Sequence, residues 1–386
     1  MKVAIVHDWL ATWAGAEKVL EQILLLYPEA DLFMLFNLLP PNQRAILGDR
    51  KVFTSFFQKI PFTRKFYRYY LPLMPFAVEQ LDLTAYNLVL SSSHAIAKSV
   101  ITTPDQLHIS YVHSPMRYAW DLQSLYLNKT GLDRGLRGFF TRLLLHHMRL
   151  WDTQTANGVD HFIANSSFIA RRIWKAYRRE TTIIPPPVNV EDFSLQEEKE
   201  DFYLTASRLV PYKRVDLIVE AFSQMKDKKL IVIGEGPEEK KIRAKATENI
   251  SLLGYQDFSS LRSHMQKAKA FIFAAKEDFG IAPVEAQACG TPVIAFGEGG
   301  AAETIRGMDD PLPTGIFFKE QTVESLRTAI QLFENKLKNI TPRNCRENAL
   351  RFSVDYFRSQ YKKFVEDRWE LFHSGQTSFK KPSFVA

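Results

Sequence analysis

Two carboxylates, those of Glu277 and Glu285, lie eight positions apart in the stretch KEDFGIAPVEAQACGTPVIAFGEGG, which is otherwise nearly all small or apolar. Gly280 permits a tight turn of the backbone, and Pro283 suits the first turn of a helix because its missing N–H is not needed there. We therefore predict a helix that runs to about Cys289 and is followed by a buried strand in PVIAF. Glu277 then lies on a loop, and Glu285 lies within the first turns of the helix.

The start of this predicted helix offers a site for an anion. Backbone N–H groups there lack an intrahelical acceptor and point outward with the positive end of the helix dipole, which suits a phosphate. The residues concerned are Phe279, Gly280, Ile281 and Ala282. Carboxylates beside a phosphate suit its polyhydroxylated substituents, because an ionised carboxylate accepts the two hydrogen bonds that a vicinal diol donates. The pattern indicates a nucleotide sugar; the alternative is a pair of solvated surface charges.

Length and composition limit the class of protein. A chain of 386 residues is long for one core, and two domains of roughly 150 to 200 residues are expected. Cys289 and Cys345 have neither metal nor disulfide spacing, which favours a reduced cytoplasmic protein. The opening MKVAIVHDWL lacks the pattern of a signal peptide, and the chain contains no long apolar run, so we expect no transmembrane helix.

The net charge is +7, and part of it is concentrated between residues 51 and 77. This segment has no acidic residue, and its basic and aromatic residues are Lys51, Phe53, Phe56, Phe57, Lys59, Phe62, Arg64, Lys65, Phe66, Tyr67, Arg68, Tyr69, Tyr70 and Phe76. Such a composition is typical of an interfacial membrane segment, since cations bind anionic headgroups and rings favour the headgroup boundary. We predict peripheral contact with the inner face of the plasma membrane; the alternative is ordinary amphipathic helices. Nucleic acid is not an expected partner, because no nucleic-acid motif accompanies the charge.

Short apolar runs alternate with helical patterns along the whole chain, which predicts an α/β protein with two doubly wound, Rossmann-like domains. The predicted strands are 2–6, 31–35, 87–92, 108–113, 161–165, 181–185, 202–207, 229–234, 249–254, 270–275, 292–296 and 315–319. The triple proline at 185–187 cannot continue a ladder and marks the domain boundary. The expected parts are a domain 1–187, a domain 188–354, a helix 355–372 with one apolar face, and a poorly ordered tail 373–386.

Residues directly after the strands, polar ones above all, indicate where a ligand binds, because ligands of open α/β sheets lie beyond the carboxyl ends of the strands. In the second domain these residues are Arg208 and Lys213 after its first strand, Gly234 and Gly236 after the second, and Leu253, Gly254 and Tyr255 at the third. In the first domain, His113 ends a strand and the loop that contains Gly15 leads from the first strand into a helix. Clusters in both domains predict a ligand cleft between them.

Five motifs carry a resemblance to a known family. AGAEKVL (14–20), YVHSPMRYAWD (111–121), SRLVPYKRVDLIVEAF (207–222), IGEGP (233–237) and EDFGIAPVEAQACGTPVIAFGEGGAAE (277–303) follow one another in this order. Together they resemble the retaining GT-B glycosyltransferases of family 4, which include many bacterial mannosyltransferases of polysaccharide assembly. The resemblance implies two Rossmann-like domains and a C-terminal helix that crosses back to the first domain.

The resemblance also implies roles for individual residues. Glu277 would lie near the donor sugar, Glu285 on the nucleotide ribose, Arg208 and Lys213 on the diphosphate, Gly15 at the donor phosphates, and His113 on the donor sugar. The family usually has glycine where Ala14 stands, which bears on how freely this loop moves. Neither a metal nor a cofactor is implied, since cations and helix N-termini meet the diphosphate and the nucleotide sugar is itself a substrate. The family's favoured mechanism is a front-face displacement in which the departing phosphate takes the acceptor's proton.

The expected identities of the donor and the acceptor rest on the resemblance alone. YVHSPMRYAWD and SRLVPYKRVDL resemble relatives that use GDP-mannose, while UDP-sugars stay possible because the base is read largely by backbone near residues 253–255. The expected acceptor is a glycan or a lipid-linked sugar.

Two other classes of protein are alternatives to a glycosyltransferase. A nicotinamide-dependent oxidoreductase would need a G-x-G-x-x-G after a strand, and GEGPEE lacks the third glycine. A non-catalytic module or membrane scaffold would bind a nucleoside diphosphate and transfer no sugar.

Overall fold

The structure, a computed structural model, describes residues 1–374, so residues 375–386 of the expected tail lie outside the described residues. The chain forms two compact units. Unit 1 contains residues 1–184 together with the C-terminal helix from Phe357 onward, and unit 2 spans Pro185–Tyr356. The change from one unit to the other thus falls at the first proline of the triple proline.

Unit 1 is built on a parallel sheet of seven strands in the order β3-β2-β1-β4-β5-β6-β7. These strands are β1 (Val3–His7), β2 (Asp31–Met34), β3 (Val52–Thr54), β4 (Leu88–Ser93), β5 (Leu107–Val112), β6 (His161–Ala164) and β7 (Thr181–Ile183). The α-helices of this part are α1 (Gly15–Leu26), α2 (Thr63–Phe66), α3 (Met74–Glu79), α4 (Gln123–Thr130), α5 (Gly135–Thr155) and α6 (Ser167–Tyr177). Every residue of β1 and β4 is buried, as expected for strands inside a parallel sheet that is covered on both faces.

Unit 2 has a parallel sheet of six strands in the order β10-β9-β8-β11-β12-β13. The strands are β8 (Tyr203–Ala206), β9 (Leu230–Ile233), β10 (Ile250–Gly254), β11 (Ala270–Phe273), β12 (Val293–Phe296) and β13 (Gly315–Phe318). Its helices are α7 (Val215–Ser223), α8 (Glu239–Arg243), α9 (Phe258–Lys267), α10 (Ile281–Ala288), α11 (Ala301–Thr304), α12 (Val323–Lys336) and α13 (Pro342–Leu350). The predicted class, two doubly wound parallel-sheet domains, is confirmed.

The strand β3 was not predicted, and it begins the segment 51–77 that the sequence analysis assigned to a membrane interface. Val52 pairs with Leu32 of β2, which places β3 at the edge of the sheet. The rest of the segment folds into short helical turns, and Phe57 is fully buried in the core rather than available to a membrane. The strand has only three residues and lies among the basic and aromatic residues that the sequence analysis interpreted as a membrane interface, which explains why it was missed.

The C-terminal helix α14 (Val354–His373) supplies part of the core of unit 1. Its buried residues are Phe357, Tyr361, Phe364 and Val365, which recur at helical spacing. The ring of Phe357 meets the ring of Tyr111 on β5 edge to face, with 6.0 Å between the centroids. The predicted return of this helix to the first domain is therefore confirmed.

We predict that Phe357→Ala destabilises unit 1 by about 3–5 kcal/mol, because a fully buried ring is removed from its core. The matched control is Tyr356→Ala, since Tyr356 is 45% exposed and Phe357 only 1%; its effect should stay within about 0.5 kcal/mol. All six tryptophans lie in unit 1, so tryptophan fluorescence during urea unfolding reports this unit alone. Equal midpoints for the two variants would show that α14 does not stabilise unit 1.

Candidate functional site

The candidate site of unit 2 lies at the carboxyl ends of β8 and β11. These neighbouring strands are the point at which the strand order of the sheet reverses, where open α/β sheets bind ligands. The loop after β8 carries Arg208 and Lys213, and the loop after β11 carries Glu277. Sequence reasoning proposed these residues from separate motifs, and the fold places their loops at one edge of one sheet.

Helix α10 begins directly after this edge. Gly280 precedes it with φ of 89°, a left-handed conformation that favours glycine, and the helix proper starts at Ile281. The first N–H groups of α10 therefore have no intrahelical acceptor and are aligned with the positive end of its dipole. Glu285 lies in the second turn and is half-buried. The local structure that the sequence predicted between the two glutamates is present.

The loop after β12 fixes the position of Glu277 through a backbone contact. The N–H of Gly300 donates a hydrogen bond of 2.8 Å to the carbonyl oxygen of Glu277. A Cβ on Gly299 would lie 2.5 Å from that oxygen, and a Cβ on Gly300 would lie 2.2 Å from Cα of Phe279. Only glycine therefore allows the two loops to approach this closely. Sequence reasoning missed both glycines as site residues, although the run GEGG after a buried strand was the available signal.

Lys213 and Glu277 form an ion pair in which both side chains are mostly buried. The ammonium group of Lys213 also lies 5.8 Å from the centre of the Phe273 ring. Arg208 differs, because it is exposed and no acidic side chain within residues 1–374 forms an ion pair with it. The resemblance to family 4 predicts Lys213 on a diphosphate and Glu277 beside a sugar; the structure brings these two side chains into direct contact.

The glycines of IGEGP have a structural explanation. A Cβ on Gly234 would lie 1.9 Å from the carbonyl oxygen of Ser207, and a Cβ on Gly236 would lie 2.3 Å from that of Leu209. Gly234 also has φ of 127°. These glycines let the loop after β9 pack against the loop that carries Arg208. Contact with a donor, which the sequence analysis expected of Gly234 and Gly236, stays a prediction.

The backbone groups expected to meet the nucleotide base already have hydrogen-bond partners. The carbonyl oxygen of Leu253 accepts from Nε2 of Gln256 at 3.0 Å. That of Gly254 accepts from the N–H of Gly234 at 2.8 Å. The N–H of Tyr255 lies 3.3 Å from Oε1 of Glu235. Each carbonyl keeps a second lone pair, and the ring of Tyr255 is 75% exposed. A base would therefore find an open aromatic face here in addition to backbone.

In unit 1, His113 follows β5 and is held at three points. Its N–H donates to the carbonyl oxygen of Ser93 at 2.8 Å, and its own carbonyl oxygen accepts from Nδ2 of Asn165 at 3.1 Å. Its Nε2 lies 2.9 Å from Oγ of Ser92. Burial lowers the pKa of His113 to about 3, with a smaller effect from His94 and His7. The imidazole is therefore neutral near pH 7.

Gly15 is the first residue of α1, in the loop that leaves β1. Glu17 reaches back within this turn, and its Oε2 accepts a hydrogen bond of 2.9 Å from the N–H of Ala14. The other oxygen, Oε1, lies 3.9 Å from Nε2 of His7, at the end of β1. The turn at Gly15 and the end of β1 are thus linked through buried side chains.

An Asp–His pair, in which Asp8 is fully buried and His94 is partly exposed, also lies at the carboxyl end of the unit 1 sheet, where the strand order reverses between β1 and β4. The carboxylate of Asp8 accepts from the backbone N–H groups of His94, Ala95, Ile96 and Ala97. Its Oδ2 also lies 2.7 Å from Nδ1 of His94. Burial would raise the pKa of Asp8, yet His94 holds it well below its usual range. Burial would likewise lower the pKa of His94, and Asp8 raises it.

Sequence reasoning did not assign a site role to Asp8, His94, Ser92 or His7. The available signal was the position of His7 and Asp8 at the end of a buried strand, the same argument that identified His113. The partners Ser92 and His94 come from another strand, so their contacts depend on the pairing of β4 with β1 and β5.

Two family models match the chain and together cover most of it. "Glycosyl transferases group 1" matches residues 189–352, and "Glycosyltransferase Family 4" matches residues 37–192. The chain belongs to the family 4 glycosyltransferases of the GT-B fold. Membership in this family excludes the alternative of a nicotinamide-dependent oxidoreductase.

Relatives are found over parts of the chain. A mannosyltransferase of Corynebacterium glutamicum, described as GDP-mannose-dependent and acting on a monoacylated phosphatidylinositol monomannoside, is 31% identical over 39% of this chain. The N-acetyl-alpha-D-glucosaminyl L-malate synthase of Bacillus anthracis is 28% identical over 50% of this chain. The alignments span 44% and 49% of these relatives, so each covers less than half of the relative's own length.

Solved structures resemble the whole chain in fold. Anabaena HepE in complex with UDP superposes with a TM-score of 0.68 at 17% identity, covering 95% of this chain and 100% of that one. Sucrose-phosphate synthase from Thermosynechococcus elongatus superposes with a TM-score of 0.68 at 15% identity, covering 96% and 100%. At such low identity these structures establish the fold alone.

We predict that Gly300→Ala lowers the affinity for a nucleoside diphosphate by at least about ten-fold, because the new methyl group displaces the backbone of Phe279 and with it the start of α10. The matched control is Gly158→Ala, since a Cβ there meets no atom within 4 Å. Calorimetric titration with GDP and with UDP measures the effect. Unchanged affinity in Gly300→Ala would mean that the glycine contact does not shape the binding site.

Proposed function

We propose that the protein is a retaining, metal-independent glycosyltransferase that transfers a sugar from a nucleoside diphosphate to a glycan or lipid-linked acceptor. The observation that carries this proposal is the set of groups at one edge of unit 2, namely the N-terminus of α10, the cations Arg208 and Lys213, and the carboxylate of Glu277. N–H groups and cations suit a diphosphate, and a carboxylate suits sugar hydroxyls.

In this proposal, the diphosphate of the donor replaces the carboxylate of Glu277 as the ion-pair partner of Lys213. Two unit charges 4 Å apart attract by about 4 kcal/mol at an effective dielectric constant of 20, so a phosphate with two charges competes well with one carboxylate. Release of Lys213 leaves the Glu277 carboxylate free to accept hydrogen bonds from the donor sugar. Arg208, which has no acidic partner within residues 1–374, adds a second cation. Together these cations stabilise the departing phosphate and supply the charge that a metal would provide.

A front-face displacement agrees with the state of the carboxylates in unit 1. A double displacement needs a free carboxylate as nucleophile. Asp8 is fully buried and accepts from four backbone N–H groups, and Glu17 is buried and accepts from Ala14. We therefore propose that the bond from the anomeric carbon to the phosphate breaks while the acceptor oxygen bonds to the same face. The acceptor's proton passes to the departing phosphate oxygen.

GDP-mannose is our first candidate for the donor. The C. glutamicum relative is described as GDP-mannose-dependent, whereas the HepE structures contain UDP or UDP-glucose. Thermal-shift measurements with GDP and UDP separate these possibilities, because a ligand at 100 times its dissociation constant stabilises a protein by about 2.7 kcal/mol. Stabilisation by UDP and not by GDP would show that the donor is a UDP-sugar rather than GDP-mannose.

We predict different effects for the two glutamates. Glu285→Gln should weaken GDP binding and raise KM for GDP-mannose, because contacts to the ribose are equal in the ground state and the transition state. Glu277→Gln should lower kcat, because its charge favours the positive character that develops at the anomeric carbon. GDP affinity should be unchanged or higher in Glu277→Gln, since Lys213 loses a competing partner. For both variants, calorimetry measures the GDP affinity, and the rate of GDP release from GDP-mannose in water measures kcat and KM.

Glu298→Gln is the matched control, because Glu298 is an exposed carboxylate of the next loop that pairs with Lys276. The GDP affinity and the kcat of Glu298→Gln should both remain close to the wild-type values. If Glu277→Gln loses GDP affinity as severely as Glu285→Gln, both carboxylates serve the nucleotide and the assignment of Glu277 to the sugar is wrong. Binding of GDP without any release from a nucleotide sugar would favour the non-catalytic module.

We also propose that unit 1 binds anionic membrane through two surfaces. The first surface consists of the exposed rings of segment 51–77, such as Phe62 and Tyr69, beside Arg64 and Lys65. The second surface is the start of α5, where Leu136, Phe139, Phe140 and Leu143 are exposed among Arg134, Arg137 and Arg142. Exposed apolar side chains with neighbouring cations suit a headgroup boundary. Within residues 1–374, no helix has the length and apolarity needed to cross a membrane. We propose a peripheral position on the inner face of the plasma membrane.

We predict that the protein sediments with vesicles that contain anionic lipid and that binding falls with rising salt, because exposed charges are screened within about 10 Å at 0.1 M. Replacing Phe139 and Phe140 by serine should reduce binding at every salt concentration. Leu332→Ser, a change of one exposed apolar residue in unit 2, is the control and should bind as wild type does. Equal binding to neutral and anionic vesicles would contradict an electrostatic contribution to membrane binding.

A further inference from the structure

The side chains of three strand ends in unit 1 form a continuous chain of contacts. Nδ1 of His7, at the end of β1, lies 3.1 Å from the carbonyl oxygen and 3.2 Å from Oγ of Ser92, on β4. Oγ of Ser92 in turn lies 2.9 Å from Nε2 of His113, after β5. His7 and Ser92 are buried, and His113 is partly buried. A chain of this kind allows few arrangements of its protons.

The protons can be assigned from His7 outward. A carbonyl oxygen can only accept a hydrogen bond, so Nδ1 of His7 carries a proton and donates it to Ser92. The hydroxyl of Ser92 has one proton of its own, and among the described residues its only other partner is Nε2 of His113. A buried hydroxyl is stabilised when its proton has an acceptor. Ser92 therefore donates to Nε2 of His113, and a neutral His113 carries its proton on Nδ1.

We propose that Ser92 and His7 are positioning residues, which hold His113 as the Nδ1–H tautomer so that it donates a hydrogen bond to an oxygen of the donor sugar. This inference rests on the proposed function, in which His113 contacts that sugar. It assigns a direction to the contact: His113 is a donor to a sugar oxygen and takes no proton from the acceptor. The proton of the acceptor is left to the phosphate, as the front-face displacement requires.

Other contacts support this role. The backbone of His113 is held by Ser93 and Asn165 on both sides, so the ring can turn only about its own side-chain bonds. Within residues 1–374, the side-chain hydrogen bond of His113 is made by its Nε2 and none is made by its Nδ1, which leaves this nitrogen for a ligand. The low pKa of His113, about 3, keeps the ring neutral across the physiological range. His7 also lies 3.9 Å from Glu17 in the turn at Gly15. Burial would raise the pKa of Glu17, and the contact with His7 brings it below its usual value.

The chain contains a matched pair of residues for comparison. Ser91, next to Ser92 on β4, has its Oγ 2.9 Å from Nε2 of His108 on β5. Nδ1 of His108 lies 3.3 Å from the carbonyl oxygen of Gly158, so it carries a proton for the same reason as His7. His108 is fully buried and its pKa is lowered to about 4 by burial. Ser91→Ala therefore removes an equivalent buried Ser–His contact that lies outside the candidate site.

The direct test is long-range ¹H–¹⁵N spectroscopy of the full chain labelled with ¹⁵N-histidine, with His113→Gln used to assign the signal. We expect His113 to show a protonated Nδ1 and an unprotonated Nε2 from pH 7 to pH 5, like His108. Ser92→Ala should shift His113 toward protonated Nε2, Ser92→Thr should retain the wild-type tautomer, and Ser91→Ala should leave His113 unchanged. A protonated Nε2 on His113 in the wild type would overturn the inference.

The second readout is GDP release from GDP-mannose in water. Ser92→Ala should slow it by about ten-fold or more with GDP affinity unchanged, because one directed hydrogen bond to the sugar is lost. Ser92→Thr should restore it, and Ser91→Ala should match the wild type. Equal rates in Ser92→Ala and Ser91→Ala would contradict the positioning role. If the wild type releases no nucleoside diphosphate from either GDP-mannose or UDP-glucose, the proposed function fails, and the tautomer of His113 still decides whether Ser92 orients it.

Discussion

The candidate donor site depends on a close backbone contact that only glycine permits. Gly299 and Gly300 allow the loop after β12 to lie against residues 277–279, and the N–H of Gly300 holds the carbonyl oxygen of Glu277. This contact sets where Glu277 lies and where α10 begins. The direction of the first N–H groups of α10 follows from it, as does the distance between Glu277 and Lys213. A similar constraint applies after β9, where Gly234 and Gly236 fit beneath the loop that carries Arg208.

The two units arrange their polar groups in different ways. In unit 2 the charges lie in loops, and Lys213 is paired with a carboxylate that a diphosphate can replace. In unit 1 the polar groups at the strand ends are buried or partly buried and many of them bond to one another, as in the four N–H groups on Asp8 and the contact of Ser92 with His113. Unit 2 is thus suited to attract and exchange a charged ligand, and unit 1 is suited to present one fixed orientation of His113.

Much of the fold follows from the sequence. Except for β3, every strand within residues 1–374 overlaps a predicted one, and most of them are buried parallel strands, which appear as continuous apolar runs. The short strand β3 lies within the basic and aromatic segment 51–77 and has no such run. The site was predicted in part: motifs identified His113, Lys213 and Glu277, but the ion pair of Lys213 with Glu277 and the side-chain partner of His113 were missed. Ser92 lies 21 positions from His113, and Asp8 lies 86 positions from His94. Such pairs depend on which strands are neighbours in the sheet, and a single sequence does not reveal that order.

The most direct test of the account is whether Lys213 and the N-terminus of α10 bind a nucleoside diphosphate. Calorimetric titration of the full chain with GDP and with UDP should show saturable binding of at least one of them, in the absence of added metal. Lys213→Ala should weaken this binding by about 2–5 kcal/mol, because a buried diphosphate is left with one cation missing. No binding of either nucleotide, or equal affinity in wild type and Lys213→Ala, would contradict the assignment of this edge of unit 2 as the donor site.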